Sequence, residues 1–165
     1  MLNLSVGTVQ NLVERQVLEA FVEQLIILPR RPLRSLKTLV AGLFAPYPLL
    51  ASVNGLSAGL QDTFTGLLGE HWDVVQIEHS YSFQPYEDAL ARKSQPFVLT
   101  EHNVESALGA ATYDRLPRWS LPFIRYDQWR YARWERRVMR QAARVVAVTD
   151  SDAQTLNKIA GKPVS

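Results

Sequence analysis

The 165-residue sequence contains no cysteine, and it has no uninterrupted apolar run of the roughly 18 residues that a membrane-spanning helix requires. Without cysteine, the chain can form neither a disulfide framework nor a thiolate site, which fits a reducing compartment. The N-terminus lacks a basic region followed by a long apolar stretch, so we expect no signal peptide. These absences predict a cytoplasmic protein, with peripheral attachment at the inner face of the membrane as a further option.

The common short motifs of nucleotide, metal and hydrolase sites are missing as well. No G-x-G-x-x-G, P-loop, H-E-x-x-H or G-x-S-x-G pattern occurs in the sequence. The three histidines, His71, His79 and His102, are not spaced as local ligand pairs for a metal ion. We therefore expect neither a metal nor a resident cofactor.

What the sequence does have is a regular alternation of short apolar runs and amphipathic stretches. The apolar runs predict strands at Met1–Val6, Leu25–Leu28, Val74–Ile77, Phe97–Thr100 and Arg144–Val148. The stretches between them predict helices at Val9–Val22, Leu33–Phe44, Ser57–Leu68, Tyr86–Lys93, Pro122–Ala142 and Ser151–Ile159. This order predicts an α/β fold with a doubly wound, Rossmann-like parallel sheet, formed by one domain of residues 1–165.

Two of the predicted strands end in the same pair of residues. Glu78-His79 follows one apolar run, and Glu101-His102 follows the next. The carboxyl ends of parallel strands lie along one edge of the sheet, which is where open α/β sheets bind ligands. The sequence therefore predicts a site at this edge, with runs that are buried on both faces beneath it.

The run Glu101-His102-Asn103 is the sharpest candidate at that edge. A histidine just past a buried strand is held by a rigid scaffold, and its pKa near neutrality suits it to bind a sugar hydroxyl or a phosphate. The alternative is that His102 caps a helix or donates to a loop carbonyl. The run Glu78-His79-Ser80-Tyr81 has the same placement, and the same two interpretations apply to it.

The predicted helix near residues 122–142 is strongly basic. Residues 115–144 hold nine arginines against Asp127 and Glu135, a local net charge of +7 in a chain of net charge +2. Tyr131, Trp134 and Val138 form an apolar stripe, and arginines spread over the opposite side. The predicted contacts with an anionic membrane surface or another anion are Arg130, Arg133, Arg136, Arg137 and Arg140. A plainly solvated basic face is the alternative; nucleic acid is not expected as a partner, because no recognised motif accompanies the helix.

The stretches WDVVQIEH, PFVLTEHNVES and YARWERRVMRQAARVVAVTDSDAQTL follow one another along the chain. Together they resemble the N-terminal, acceptor-side domain of GT-B glycosyltransferases of the family-4 type, over about residues 72–160. The resemblance implies a transferase, of the hexosyltransferase type, that moves a sugar from a nucleotide-sugar donor with retention of configuration. It also implies a glycan or lipid-linked acceptor, as in polysaccharide biosynthesis.

The resemblance also implies roles for individual positions. His102 matches the family's histidine that reaches the reacting centre, so it is the expected catalytic residue. The acceptor pocket is expected to include Glu101, Asn103, Glu78, His79 and Tyr81. The strand-to-helix corner Thr149, Asp150 and Ser151 is expected to face the interdomain cleft. A non-enzymatic module that binds a membrane or a partner through the basic helix is the competing hypothesis.

Two departures from the family pattern shape these expectations. The family domain opens with a strand and a glycine-rich loop, whereas MLNLSV resembles its second strand. The family's second domain, which carries the donor-binding carboxylates, has no counterpart in the 165 residues. We therefore expect a fragment of a longer enzyme, inactive by itself, whose partner is the missing C-terminal donor-binding domain.

Overall fold

A computed structural model of the chain describes residues 2–6, 19–28, 40, 42–55, 57, 59–104, 118–161 and 163–164. Strands and helices alternate from β3 onward in these residues. In order they are β1 Leu2–Val6, β2 Gln24–Leu28, α1 Leu49–Gly55, α2 Leu60–Leu67, β3 Val75–Glu78, α3 Glu87–Lys93, β4 Phe97–Glu101, α4 Leu121–Gln141, β5 Arg144–Ala147 and α5 Asp150–Ala160. Single 3-10 turns follow β3 at Ser80–Ser82 and precede α4 at Arg118–Ser120.

All pairings between these strands are parallel, which confirms the predicted α/β fold. Strands β1 and β2 pair with each other, and β3, β4 and β5 form a three-stranded sheet in that order. Within this sheet Glu78 pairs with Thr100, and Glu101 pairs with Ala147. Because the strands are parallel and in register, their carboxyl ends lie along one edge, as the sequence predicts.

The predicted helices Val9–Val22 and Leu33–Phe44 lie largely outside the described residues. Of them, residues 19–22, 40 and 42–44 are described, and all of these except Val22 are helical. Helix α1 is not among the predicted helices, although Pro46 and Pro48 precede it closely in the sequence. Pro48 stands just before the first turn, where a missing N–H costs little, and its carbonyl accepts from Ser52 N at 2.9 Å. The first N–H of the helix, at Leu49, donates to Asp127 Oδ1 at 3.0 Å.

The three-stranded sheet is buried on one face only. Ile77, Leu99 and Val145 point into the core, and the latter two have no exposed surface. Their neighbours along the strands are half-buried or exposed, and Val74 is 62% exposed. The prediction of burial on both faces is therefore wrong for these strands. The chain adds β4 beside β3 and then β5 beside β4, so it moves across the sheet in one direction. Both crossover connections are right-handed, which places α3 and α4 on the same face, and the core forms there.

Helix α4 supplies the largest part of that core. The predicted stripe of Tyr131, Trp134 and Val138 is confirmed, since all three side chains are buried. Trp134 and Val138 belong to one core cluster with Met139 and with Leu156 of α5. Buried aromatic and aliphatic side chains of this size each contribute about 1.5–3 kcal/mol through the apolar area they remove from water.

Candidate functional site

The two Glu-His pairs meet at the carboxyl edge of the three-stranded sheet. Glu78 ends β3, and His102 follows the last residue of β4, two residues beyond Thr100, the register partner of Glu78. His102 Nε2 lies 2.7 Å from Glu78 Oε2, and about half of each side chain is exposed. The sequence predicted that the pairs would share an edge, but not that the histidine of one would bind the glutamate of the other.

Glu78 is itself held in place from the open face of the sheet. Gln76 Nε2 donates to Glu78 Oε1 at 2.6 Å and to Thr100 Oγ1 at 3.0 Å. The carboxylate therefore has one oxygen fixed by the amide and the other directed at the imidazole. When Glu78 is ionised and His102 is neutral, the carboxylate accepts from Nε2–H, and Nδ1 is then the acceptor of the ring. An imidazole oriented in this way can accept a proton from a hydroxyl group.

Glu101 is different, because its side chain is fully buried beneath the edge. Its Oε1 accepts from the backbone N–H of Ser80 at 2.9 Å, and its Oε2 lies 3.8 Å from His79 Nδ1. On the other side of Ser80, Trp134 Nε1 of α4 donates to the Ser80 carbonyl at 2.9 Å. The peptide groups of Ser80 are therefore held between two buried side chains, which fixes the turn after β3.

His79 adopts an unusual backbone conformation at the start of this turn. Its φ is 64° and its ψ is 137°, a region that residues with a side chain rarely occupy. Its N–H continues the sheet ladder by donating to the Thr100 carbonyl at 2.9 Å. Strain of this kind persists only where surrounding contacts enforce it, and it is concentrated at ligand-binding sites.

Three rings stack along the edge. His79 lies parallel to Tyr81, with 4.7 Å between ring centroids, and its centroid is 4.6 Å from that of His102. The row presents an aromatic surface beside the half-exposed His102. Five of the predicted site residues, Glu78, His79, Tyr81, Glu101 and His102, are thus brought together.

The environment of His79 disfavours its protonated form. Burial lowers the pKa of His79 below its usual value of 6.5, and the neighbouring His102 lowers this pKa further, whereas Glu78 opposes the shift. At pH values between the lowered pKa and 6.5, His79 binds a proton in the unfolded chain but not in the folded chain. His79 therefore favours folding fully above about pH 6.5, and this contribution is lost as the pH falls through the lowered pKa.

We expect this linkage in the pH dependence of the free energy of unfolding. The free energy of unfolding is measured by urea titration at pH values from neutral to mildly acidic. As the pH falls, it should decline less steeply for the His79→Gln variant than for the unchanged protein. His71→Gln is the matched control, since His71 is exposed and lies before β3. Parallel curves for the unchanged protein and His79→Gln would contradict the assignment.

The remaining predicted residues lie at the ends of the same strands. Asn103, Asp150 and Ser151 are exposed. Thr149 is the N-cap of α5, because its Oγ1 accepts from Asp152 N at 3.1 Å. The β5 end lies next to that of β4, since Val148 N donates to the Glu101 carbonyl at 3.3 Å.

Two predicted contact residues are not available at the surface. Glu101 was expected to line the acceptor pocket, but its side chain is buried, so it supports the strand ends from below. The guanidinium of Arg130 is also buried, so its assignment to a membrane or anion contact is wrong. It donates to the carbonyls of Ala45 at 2.8 Å and Gly42 at 3.3 Å, and to Asp127 Oδ1 at 2.5 Å. The bonds to Ala45 and Gly42 join α4 to the segment before α1.

Helix α4 also borders an open groove that the sequence analysis did not identify. The groove has a volume of about 340 Å³ and is lined by Pro46, Tyr126, Trp129, Arg130, Arg133, Trp134 and Arg137. We call it the α4 groove. The available indication was the aromatic and basic composition of the helix, but the lining also includes Pro46, which lies far from α4 in the sequence.

Other features of the described residues bear on ligands and membranes. Among these residues, no group of three or more histidine, cysteine, aspartate or glutamate side chains is placed to hold a metal ion. None of the helices that the structure describes combines the length and the apolar composition needed to cross a bilayer.

Comparison with known proteins identifies the family. A family model described as the glycosyl transferase 4-like domain matches residues 8–164. Neither the search of curated proteins nor the search of solved structures gave a match. The match confirms the resemblance inferred from the strand ends and the basic helix, and it accords with a Rossmann-like α/β fold in which helices flank a parallel sheet. Because it covers nearly the whole chain, the protein belongs to the glycosyl transferase 4-like domain family.

Proposed function

We propose that this chain is a single domain forming the acceptor side of a retaining hexosyltransferase, which moves a sugar from a nucleotide-sugar donor to a glycan or lipid-linked acceptor. The observation that carries the proposal is the His102–Glu78 pair, 2.7 Å apart at the carboxyl edge of the sheet. A carboxylate-oriented imidazole on a rigid edge is suited to position an acceptor hydroxyl and to take up its proton. Family membership supports the reaction class.

The surrounding residues have distinct roles in this proposal. His102 is the catalytic residue, and Glu78 orients it. Asn103 and the stacked rings of His79 and Tyr81 contact the acceptor. Glu101 acts from below, by holding the Ser80 turn.

The donor side completes the proposed site. Thr149, Asp150 and Ser151, at the end of β5, face the interdomain cleft. The nucleotide-sugar enters as a substrate, and the proposal requires no metal ion. Its diphosphate is bound by the donor-binding domain that the resemblance implies.

The proposal predicts that the 165 residues alone transfer no sugar. Holding both substrates in contact can account for about 7–11 kcal/mol of a barrier, and donor binding belongs to the second domain. The test supplies radiolabelled nucleotide-sugar and mixed glycan and lipid-linked acceptors to the chain alone and to the complete transferase. Transfer with retained configuration should require the complete enzyme. Transfer by the chain alone would contradict the two-domain requirement, and inversion would contradict the reaction class.

The competing hypothesis is a non-enzymatic module that binds an anionic membrane or a partner through its basic helix. Membership of a glycosyltransferase family favours the enzyme. A basic surface and a catalytic edge are compatible in one domain, however, and the exposed side of α4 supports a peripheral position at the inner face of the membrane.

A further inference from the structure

The α4 groove and the candidate site lie at the same end of the molecule. Helix α4 has 21 residues, so it is about 31 Å long, whereas the five residues of β4 extend about 17 Å. Trp134 of α4 is level with the carboxyl edge, because it donates to the carbonyl of Ser80. Since α4 runs back toward the start of β5, its residues before Trp134 extend about 20 Å beyond that edge. Tyr126, Trp129 and Arg133 lie on this projecting part.

The exposed side of α4 carries positive charge only. Its two carboxylates, Asp127 and Glu135, are both buried in the core. Its exposed charged residues are Arg125, Arg133, Arg136, Arg137 and Arg140. Of these, Arg137 forms an ion pair with Glu87 of α3. The burial of both carboxylates concentrates the helix's positive charge on the side that faces solvent, so this side complements an anionic surface.

Aromatic rings interleave with these charges in the groove. Trp129 is 56% exposed and Tyr126 is 50% exposed, which is unusual for rings of this size. The guanidinium of Arg133 lies 5.0 Å from the centroid of Trp129, and that of Arg137 lies 5.5 Å from the centroid of Trp134. Stacking on the rings limits the motion of the guanidinium groups, so less conformational entropy is lost when they bind an anion.

Further aromatic side chains are exposed close in sequence to the residues that line the groove. Trp119, in the turn that leads into α4, and Phe44, in the segment held by Arg130, are each 81% exposed. Exposed aromatic side chains beside arginines are typical of surfaces that lie at the boundary between headgroups and acyl chains. Planar guanidinium groups bind phosphate oxygens through paired hydrogen bonds.

We propose that the α4 groove docks the domain on an anionic bilayer, with Arg133 and Arg137 binding a lipid headgroup phosphate and with Tyr126, Trp129 and Trp119 entering the interface.

Co-sedimentation of the full chain with vesicles tests the docking. The protein should bind vesicles of phosphatidylglycerol mixed with phosphatidylcholine, and binding should weaken as the salt concentration rises. Trp129→Ala and Arg133→Gln should each weaken vesicle binding about fivefold or more, since one interfacial arginine contributes on that scale. Arg140→Gln is the matched control, because it removes the same charge from the exposed side of α4 outside the groove lining.

Each alternative outcome overturns a stated part of the proposal. Equal binding to pure phosphatidylcholine vesicles would exclude recognition of anionic headgroups. Equal losses in Arg133→Gln and Arg140→Gln would show a diffuse charge effect instead of a groove. Displacement from the vesicles by inorganic phosphate at constant ionic strength would identify a site for free phosphate. Vesicle binding does not depend on catalysis, so its failure is distinguishable from a failure of the proposed sugar transfer.

Discussion

Replacing His102 by alanine should lower the turnover of the complete transferase by about 10²–10⁴-fold, the usual scale for a positioned acid–base group. The imidazole is half exposed, and its orientation depends on the 2.7 Å contact with Glu78. Alanine removes both the proton acceptor and the hydrogen bond that positions an acceptor hydroxyl. The measurement is steady-state sugar transfer with saturating donor.

Three further variants define the basis of that loss. Glu78→Gln should reduce turnover less than His102→Ala does, since it retains the ring but weakens its orientation. His79→Ala should also cost less, because His79 contacts the acceptor in the proposal and takes no proton from it. His71→Ala is the matched control on an exposed histidine and should retain full turnover. A fully active His102→Ala enzyme would show that the catalytic residue lies elsewhere.

Replacing Val145 by aspartate should prevent folding. Val145 is fully buried at the centre of β5 and pairs with Leu99, which is also fully buried. A carboxylate placed there has no partner, and such burial costs several kcal/mol against a typical total stability of about 5–15 kcal/mol. Leu99→Asp should have the same effect. Circular dichroism and thermal unfolding provide the measurement.

The matched control is the same substitution at an exposed position just before β3. Val74 precedes β3 and is 62% exposed, so Val74→Asp should leave the circular dichroism spectrum and the unfolding temperature nearly unchanged. A native spectrum for Val145→Asp would contradict the assignment of this strand to the core. Loss of structure in both variants would mean that the sheet is buried on both of its faces in solution.

The candidate site was predictable in part, because its placement follows from chain order. A short apolar run followed by Glu-His predicts a residue pair at a strand end, and parallel pairing brings such ends to one edge. Which glutamate is buried cannot be predicted in this way. Glu78 and Glu101 have the same local context, yet strand register and sheet sidedness expose the first and bury the second.

The basic helix α4 also shows which features a local sequence pattern can predict and which it cannot. Its amphipathic period located the buried stripe of Tyr131, Trp134 and Val138, since that stripe depends only on spacing along one helix. Arg130 was assigned to the solvated side, although its guanidinium is buried against carbonyls more than eighty residues away in the sequence. Contacts at such separations depend on how elements pack, and no local pattern encodes them.

By itself, the sequence determined the order of strands and helices from β3 onward, the parallel sheet, the edge where the Glu-His pairs lie and the family resemblance. These follow from periodicity of two or 3.6 residues and from chain connectivity, which act over short distances. The tertiary structure decided which sheet face is buried, the pairing of His102 with Glu78, the clamp of Glu101 and Trp134 on Ser80, and the α4 groove. Each of these joins residues from different elements, so it depends on register and packing, which exist only in the folded chain.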